Sequence, residues 1–401
     1  MTHSGTTSRL LPDPEPRVIV APIISVDDHL IEPPDLFSGR MPAHLVERAP
    51  KVVELDGRQA WEYEGNLYPN VGLNAVVGRP KEDWSMDPAR FDEMRPGCFD
   101  IDARIADMDA AGIWASLCFP SLVAGFCGAV FSRSADPELG LACVRAWNDW
   151  YLKVWAGTHP GRIIALQLPW LPDVEVAAAE VRRNAERGFV AVSFPEFPGT
   201  LGYPTIYSGH WDPFLAACQE TGTVVCLHTG ASSWAPHASA GPPFELLPTL
   251  FPVNGLVATA EWLWSMVPLR FPRLSVALSE GGMGWVPMLM DRVDYVVRHS
   301  ASGNESRAWR SDLLPSEVIR RNFWFCSIDD PSMVPLRHVI GVDHIMVESD
   351  YPHADSTWPD TQSVFAANYG DLPEDERRAI AGGNAARLFR HPLPAVDDWR
   401  S

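Results

Sequence analysis

Short apolar runs rich in Val, Ile and Phe recur along the chain, separated by stretches whose apolar positions fall three or four residues apart. Eight such runs can be placed, at 23–27, 114–119, 163–168, 189–194, 223–228, 274–279, 322–327 and 344–349. They are nearly continuous rather than alternating, which is the pattern of parallel strands covered on both faces. The intervening segments 174–187, 212–221 and 285–298 each present one apolar face at helical spacing. Eight strand-then-helix units predict an α/β fold of the (β/α)8 TIM-barrel type. An open doubly wound sheet is the alternative. No GxGxxG follows the first run, however, and polar residues cluster at the ends of the runs, which favours the barrel.

One connection breaks the rhythm. Residues from about 30 to 96 separate the first run from the second, far more than a βα loop needs, and predict a long insertion that caps the mouth. Its Pro33-Pro34, Trp61, Tyr63, Tyr68 and Trp84 supply an apolar surface able to exclude water from a site below; an accessory unit that only adds stability is the alternative. Residues 1–18 read as a flexible arm, 19–392 as one barrel domain and 393–401 as a loose tail. The stretch 373–390 reads as a surface helix, with Asn384 near a close approach after Gly382-Gly383.

Composition narrows the function. A formal charge of -19 repels phosphate backbones and anionic membranes, so neither nucleic acid nor a membrane is an expected partner. No apolar stretch approaches the length that crosses a bilayer, and the first 18 residues lack the apolar core of a signal peptide. Seven scattered cysteines, several inside apolar runs, read as reduced thiols of a cytoplasmic protein.

In a parallel barrel the C-terminal ends of the strands converge, so polar residues ending different strands become neighbours. Asp27 and His29, two apart on the first strand, share a side, while Asp28 points away. His228 ends the fifth strand and Asp350 follows the eighth. Singly, each of these is more often a structural histidine or a helix cap. Two imidazoles and two carboxylates together form a nitrogen and oxygen donor set for one divalent ion, Zn²⁺ first and Mn²⁺ second, with room for an open position.

These residues lie in motifs that resemble the amidohydrolase-related family, which includes aminocarboxymuconate semialdehyde decarboxylase and the salicylate-type and resorcylate-type decarboxylases. The resemblance spans almost the whole chain. It rests on Val26-Asp27-Asp28-His29 with Glu32-Pro33-Pro34-Asp35-Leu36, on Arg104 with Asp107-Met108-Asp109-Ala110-Ala111-Gly112, and on Trp211-Asp212-Pro213 leading to Leu227-His228-Thr229-Gly230. Further matches are Ser279-Glu280-Gly281-Gly282, Glu348-Ser349-Asp350-Tyr351-Pro352-His353 and Gly383-Asn384-Ala385-Ala386. The resemblance implies that Asp27, His29, His228 and Asp350 are metal or catalytic residues.

Two departures stand out. Where many members carry a histidine after strand six, this chain has Glu280, which can serve as acid or base in its place or can be structural. Binuclear relatives bridge two metals with a carboxylated lysine; the only lysines here, Lys51, Lys81 and Lys153, end no predicted strand, which favours a single metal. His353 is expected among the catalytic residues, orienting Asp350 or binding a substrate carboxylate, and His210 with Trp211 to bind substrate. His237 reads as an exposed loop residue, and Arg104 as one half of a structural ion pair.

Two reactions follow from the resemblance. One is non-oxidative decarboxylation of an aromatic or unsaturated acid, with Asp350 giving a proton to carbon. The other is hydrolysis of an amide, lactone or carbon–carbon bond by metal-activated water. The expected substrate is a small carboxylate or aromatic molecule, and the expected assembly a homo-oligomer. A catalytically silent barrel, the third possibility, would hold no stoichiometric zinc or manganese.

Overall fold

A computed structural model describes residues 10–84, 88–236, 241–243, 245–299 and 309–394, so His237 lies outside the described residues. The strands are β1 Ile23–His29, β2 Lys51–Leu55, β3 Arg58–Tyr63, β4 Asn66–Tyr68, β5 Ile113–Phe119, β6 Ile163–Ile164 and β7 Leu166–Gln167. They continue with β8 Ala191–Phe194, β9 Val224–His228, β10 Val276–Ser279, β11 Phe323–Ser327 and β12 Ile345–Val347. Nine of them form one parallel sheet in the order β6-β5-β1-β12-β11-β10-β9-β8-β7.

The two ends of that order are pieces of the same segment, parted only by Ala165. The Ala165 carbonyl accepts from Val190 N at 3.1 Å and Ala191 N at 3.2 Å, which carries the pairing across the break. The sheet is therefore a closed eight-stranded barrel whose third strand, expected as one run, is interrupted in the middle.

Every residue of β1 is buried, Ser25, Asp27, Asp28 and His29 included. A polar group in that position needs partners, and Asp28 has several. Its carboxylate accepts from Ser25 Oγ at 3.0 Å, Ser349 Oγ at 2.7 Å and Tyr351 N at 3.0 Å, and also from Ser116 Oγ. One side chain thus ties β1 to β5 and to the loop after β12. Burial pushes the Asp28 carboxyl up, and the Arg104 guanidinium partly offsets this.

The helices follow their local signals. Val174–Arg187 is capped by Asp173, whose side chain accepts from Glu175 N and Val176 N, and it ends at Gly188 with φ 114°. The C-terminal stretch is two short helices, Glu374–Arg378 and Asn384–Leu388, joined by a π-turn rather than one surface helix. Buried Asn384 donates to Val342 O at 2.8 Å and Ile345 O at 2.7 Å, anchoring the start of β12. A Cβ at Gly382 would meet Pro22 O at 2.5 Å, so this turn lies against β1 only because glycine is there.

Within the insertion, β2, β3 and β4 form an antiparallel sheet. Trp61 packs edge-on against Phe37, and Tyr63 edge-on against Phe131. The following loop crosses to the mouth, where Val76 N and Val77 N donate to Pro352 O at 3.0 and 3.2 Å. Residues of the N-terminal arm lie on this face: Leu11 N donates to Gly78 O at 2.7 Å, and Asp13 meets Arg95 at 2.7 Å.

Replacing Asp28 by Ala removes the shared acceptor of three hydroxyls and a backbone amide. It is expected to lower unfolding free energy by about 3 kcal/mol, measured as a shift in the urea midpoint of tryptophan fluorescence. A change under about 0.5 kcal/mol would mean the hub contributes nothing.

Candidate metal centre

The pleat of β1 sends Asp27 and His29 to the side opposite Asp28. His228 arrives from the end of β9 and Asp350 from the loop after β12. That loop is held to β1 by Asp350 N donating to Asp27 O at 2.9 Å and His29 N to Tyr351 O at 2.6 Å. Asp350 takes a left-handed backbone, φ 53°, a conformation a non-glycine residue keeps only when its surroundings impose it.

The structure brings all four side chains together. His29 Nε2 is 3.1 Å from His228 Nε2 and 3.2 Å from Asp350 Oδ1. Asp27 Oδ1 lies 3.5 Å from His228 Nε2 and 3.7 Å from His29 Nε2. Donors bound to one ion at roughly 2.0–2.2 Å stand roughly 3–3.5 Å apart. His228 Nδ1 donates to Thr229 O at 2.8 Å, which leaves its Nε2 lone pair directed at His29.

Electrostatics points the same way. Burial holds both imidazoles neutral, His29 well below its ordinary range and His228 down to about 3. Burial first, then the like charges of Glu348 and Glu280, push the Asp27 carboxyl well up. Neither Asp27 oxygen has a hydrogen-bond partner although the residue is fully buried. A carboxylate in that condition is costly without a cation. The donor set and the unpartnered carboxylate together fit one divalent metal ion.

Around this set stand further acids. Glu280, also left-handed at φ 55°, has Oε2 3.7 Å from His228 Nε2, and its N–H donates to Glu348 Oε2 at 3.1 Å. Glu348 is buried against Cys326 Sγ, and burial raises its carboxyl to about 7. Asp350 is pushed well up, first by burial and then by Asp355 and Glu280. His353 Nδ1 is 3.0 Å from Asp350 Oδ1, its ring stacks 3.9 Å from that of His29, and burial brings its pKa down to about 4. Ligand atoms of Glu280, Asp350, His353 and Asp355 all lie within 4.8 Å of one another.

A cavity of about 200 Å³ opens beside His228, Glu280 and His353. Its apolar walls are Phe126, stacked 4.6 Å from His228, with Trp234, Leu247 and Phe251; Leu73 and Asn74 close it from the insertion, and buried Asn254 adds an amide.

His210 and Trp211, expected to bind substrate, do not line this cavity. Trp211 is 1% exposed, donates to Pro204 O at 2.8 Å and packs edge-on to Phe194, so it belongs to the barrel wall; His210 sits against its ring. Arg104 is structural by another route than the expected ion pair. It donates to Gly97 O, His29 O and Cys118 Sγ, with Tyr351 4.1 Å below its guanidinium, and acts on Asp28 through space. Phe126, Trp234, Asn254 and Asp355 join the site without having been expected there. Asn254 alone left a signal, as a lone amide in the apolar run Phe251-Pro252-Val253-Asn254-Gly255-Leu256.

Residues 41–391 match the amidohydrolase family model, and the chain belongs to that family. Its structure is similar to an amidohydrolase from Mycobacterium avium subsp. paratuberculosis K-10, at 25% identity and TM-score 0.74 over 93% of this chain and 100% of the other. It is also similar to 5-carboxyvanillate decarboxylase from Sphingomonas paucimobilis, at 20% identity and TM-score 0.63 over 93% and 100%. A third likeness is to a dihydroxybenzoic acid decarboxylase from Polaromonas sp. JS666 with bound manganese and 2-nitroresorcinol, at 18% identity and TM-score 0.62 over 92% and 97%. At such identities the two decarboxylases share the fold. No curated protein sequence matches the chain.

Elemental analysis of the purified protein is expected to find about one divalent transition-metal ion per chain. His29→Ala and His228→Ala should each weaken retention by more than the ~10- to 100-fold that removing an outer-sphere partner costs. Wild-type protein devoid of such an ion would remove the metal centre.

Proposed function

We propose that this chain is a metal-dependent carboxy-lyase that removes carbon dioxide, without oxidation, from an aromatic or unsaturated carboxylic acid. The observation that carries the reading is the place of Asp350. It is buried beside the convergent imidazole nitrogens and paired at 3.0 Å with His353, which lines the aromatic-walled cavity. The similarity to the two decarboxylases supports it.

When bound, the divalent ion acts as a Lewis acid toward the substrate carboxylate and a neighbouring hydroxyl or carbonyl oxygen. His29 and His228, held neutral, present nitrogen lone pairs, and Asp27 supplies anionic oxygen. These donors accept zinc or manganese; the manganese in the Polaromonas enzyme supports the latter. Phe126 and Trp234 hold the flat acid and exclude water. Asp350, as the neutral acid, gives its proton to the carbon bearing the carboxylate. The bond to the carboxylate carbon then breaks, its electron pair returns to the π-system, and carbon dioxide leaves. His353 and exposed Asp355 form the route by which solvent restores the Asp350 proton.

Hydrolysis is the second reading, and the position of Glu280 favours it. A nearly buried carboxyl 3.7 Å from His228 Nε2, with its proton affinity raised, is a fit base for activating water.

Turnover of hydroxybenzoates in D2O separates the readings: decarboxylation leaves one deuterium on the vacated ring carbon. Hydrolysis of an amide or lactone in ¹⁸O-water would instead place the label in a carboxylate product. Asp350→Asn is expected to reduce kcat by about two to four orders of magnitude, and full turnover by that variant would defeat the proposed chemistry.

A further inference from the structure

A second cavity, of about 400 Å³, lies beside the metal cavity, between the loop after β8 and the helix Phe251–Trp264. Its walls include Phe197, Ile206 and Val257, and Glu261 is the single charged residue among the described residues that line it. Trp234 lines both cavities and is the one described residue that the two linings share. The floor continues beneath it. Phe251 and Asn254 face the metal cavity, and Val257 and Glu261, one and two turns further along the same helix, face the second.

The position of the indole is set by its loop. The buried Glu196 carboxylate accepts from Gly230 N at 2.8 Å and from Ser232 Oγ, and Phe197 N donates to Ser232 Oγ at 2.8 Å. The loop after β9 is thereby stitched to the loop after β8. Ser233 then takes a left-handed backbone, φ 55°, which a residue with a side chain keeps only where its neighbours impose it. Trp234 follows, edge-on to Phe197 at 5.1 Å, with its carbonyl accepting from Asn254 Nδ2 at 3.5 Å. An indole anchored in this way is a partition between the two spaces. The metal cavity that it bounds has about 200 Å³, below the roughly 300–1,000 Å³ that house drug-sized ligands, which suits one ring and not two.

We propose that, with an aromatic acid seated in the metal cavity as above, Trp234 sets the size limit of the substrate: its indole confines the wild-type enzyme to single-ring acids, and its removal joins the two cavities into a compartment that takes a neutral second ring. Among the described residues no lysine or arginine lines either cavity, and the Glu261 carboxylate repels a second anion, so the added space suits an uncharged group.

The test measures, by calorimetry on the metal-loaded protein, the binding of salicylate and of its 4-phenyl and 5-phenyl derivatives. Wild type is expected to bind salicylate, and to bind both phenyl derivatives at least about fivefold more weakly. Trp234→Ala removes a wall of the ring site, so salicylate should weaken, while at least one phenyl derivative should gain at least about tenfold and become preferred over salicylate. Trp234→Val should show the same reversal and serves where Trp234→Ala fails to retain metal. Val257→Phe refills the second cavity without touching the first: alone it should leave salicylate binding unchanged, and combined with either Trp234 variant it should cancel the gain. Wild type that binds the phenyl derivatives as tightly as salicylate, Trp234 variants of full metal content that gain neither, or a gain that survives Val257→Phe would each overturn the size limit. Wild type that binds no salicylate would overturn the aromatic-acid reading itself, and the limit with it.

Discussion

Withdrawing carboxylates from water is unfavourable unless positive charge goes with them, and Asp27, Glu348 and Asp350 are withdrawn together at one end of the barrel, with Glu280 nearly so. The imidazoles among them, His29, His228 and His353, are held neutral by the same burial. The cluster is therefore an electrostatic debt that a small, highly charged cation relieves, and the direction of every shifted group at the site follows from that arrangement.

Holding such a cluster in place demands a rigid frame. Asp28 faces away from the cluster and collects hydroxyls from three parts of the rim, while Asp350 N and His29 N lock the β12 loop onto β1. Adjacent residues of one strand thus divide the labour: Asp27 and His29 face the candidate metal centre and Asp28 serves architecture. Left-handed backbone at both Asp350 and Glu280 fits this view, since strain is tolerated where surrounding bonds over-determine the conformation.

The barrel was legible because buried parallel strands are written as dense apolar runs, and strand-end residues such as His228 could be named from that pattern alone. The break at Ala165 was not legible, because a run of apolar residues does not record a local lapse in pairing. The candidate ligands Asp27 and His29 were readable through the alternation of β1, whereas the cavity walls were not. Phe126, Trp234 and Asn254 enter from loops and a helix whose placement depends on tertiary packing. Trp211 misled for a related reason: an aromatic beside a motif reads the same whether it lines a pocket or fills the wall, and the carbonyl of Pro204 that satisfies its indole is visible only in three dimensions.

Leu73 and Asn74 reach the cavity from the insertion, a segment that contributes none of the four candidate ligands. The roof of the cavity and the candidate ligand set are thereby encoded in different stretches of polypeptide. Mutations in the former can retune selectivity while the latter stays intact, so one reactive core can be refitted for new molecules by remodelling its roof.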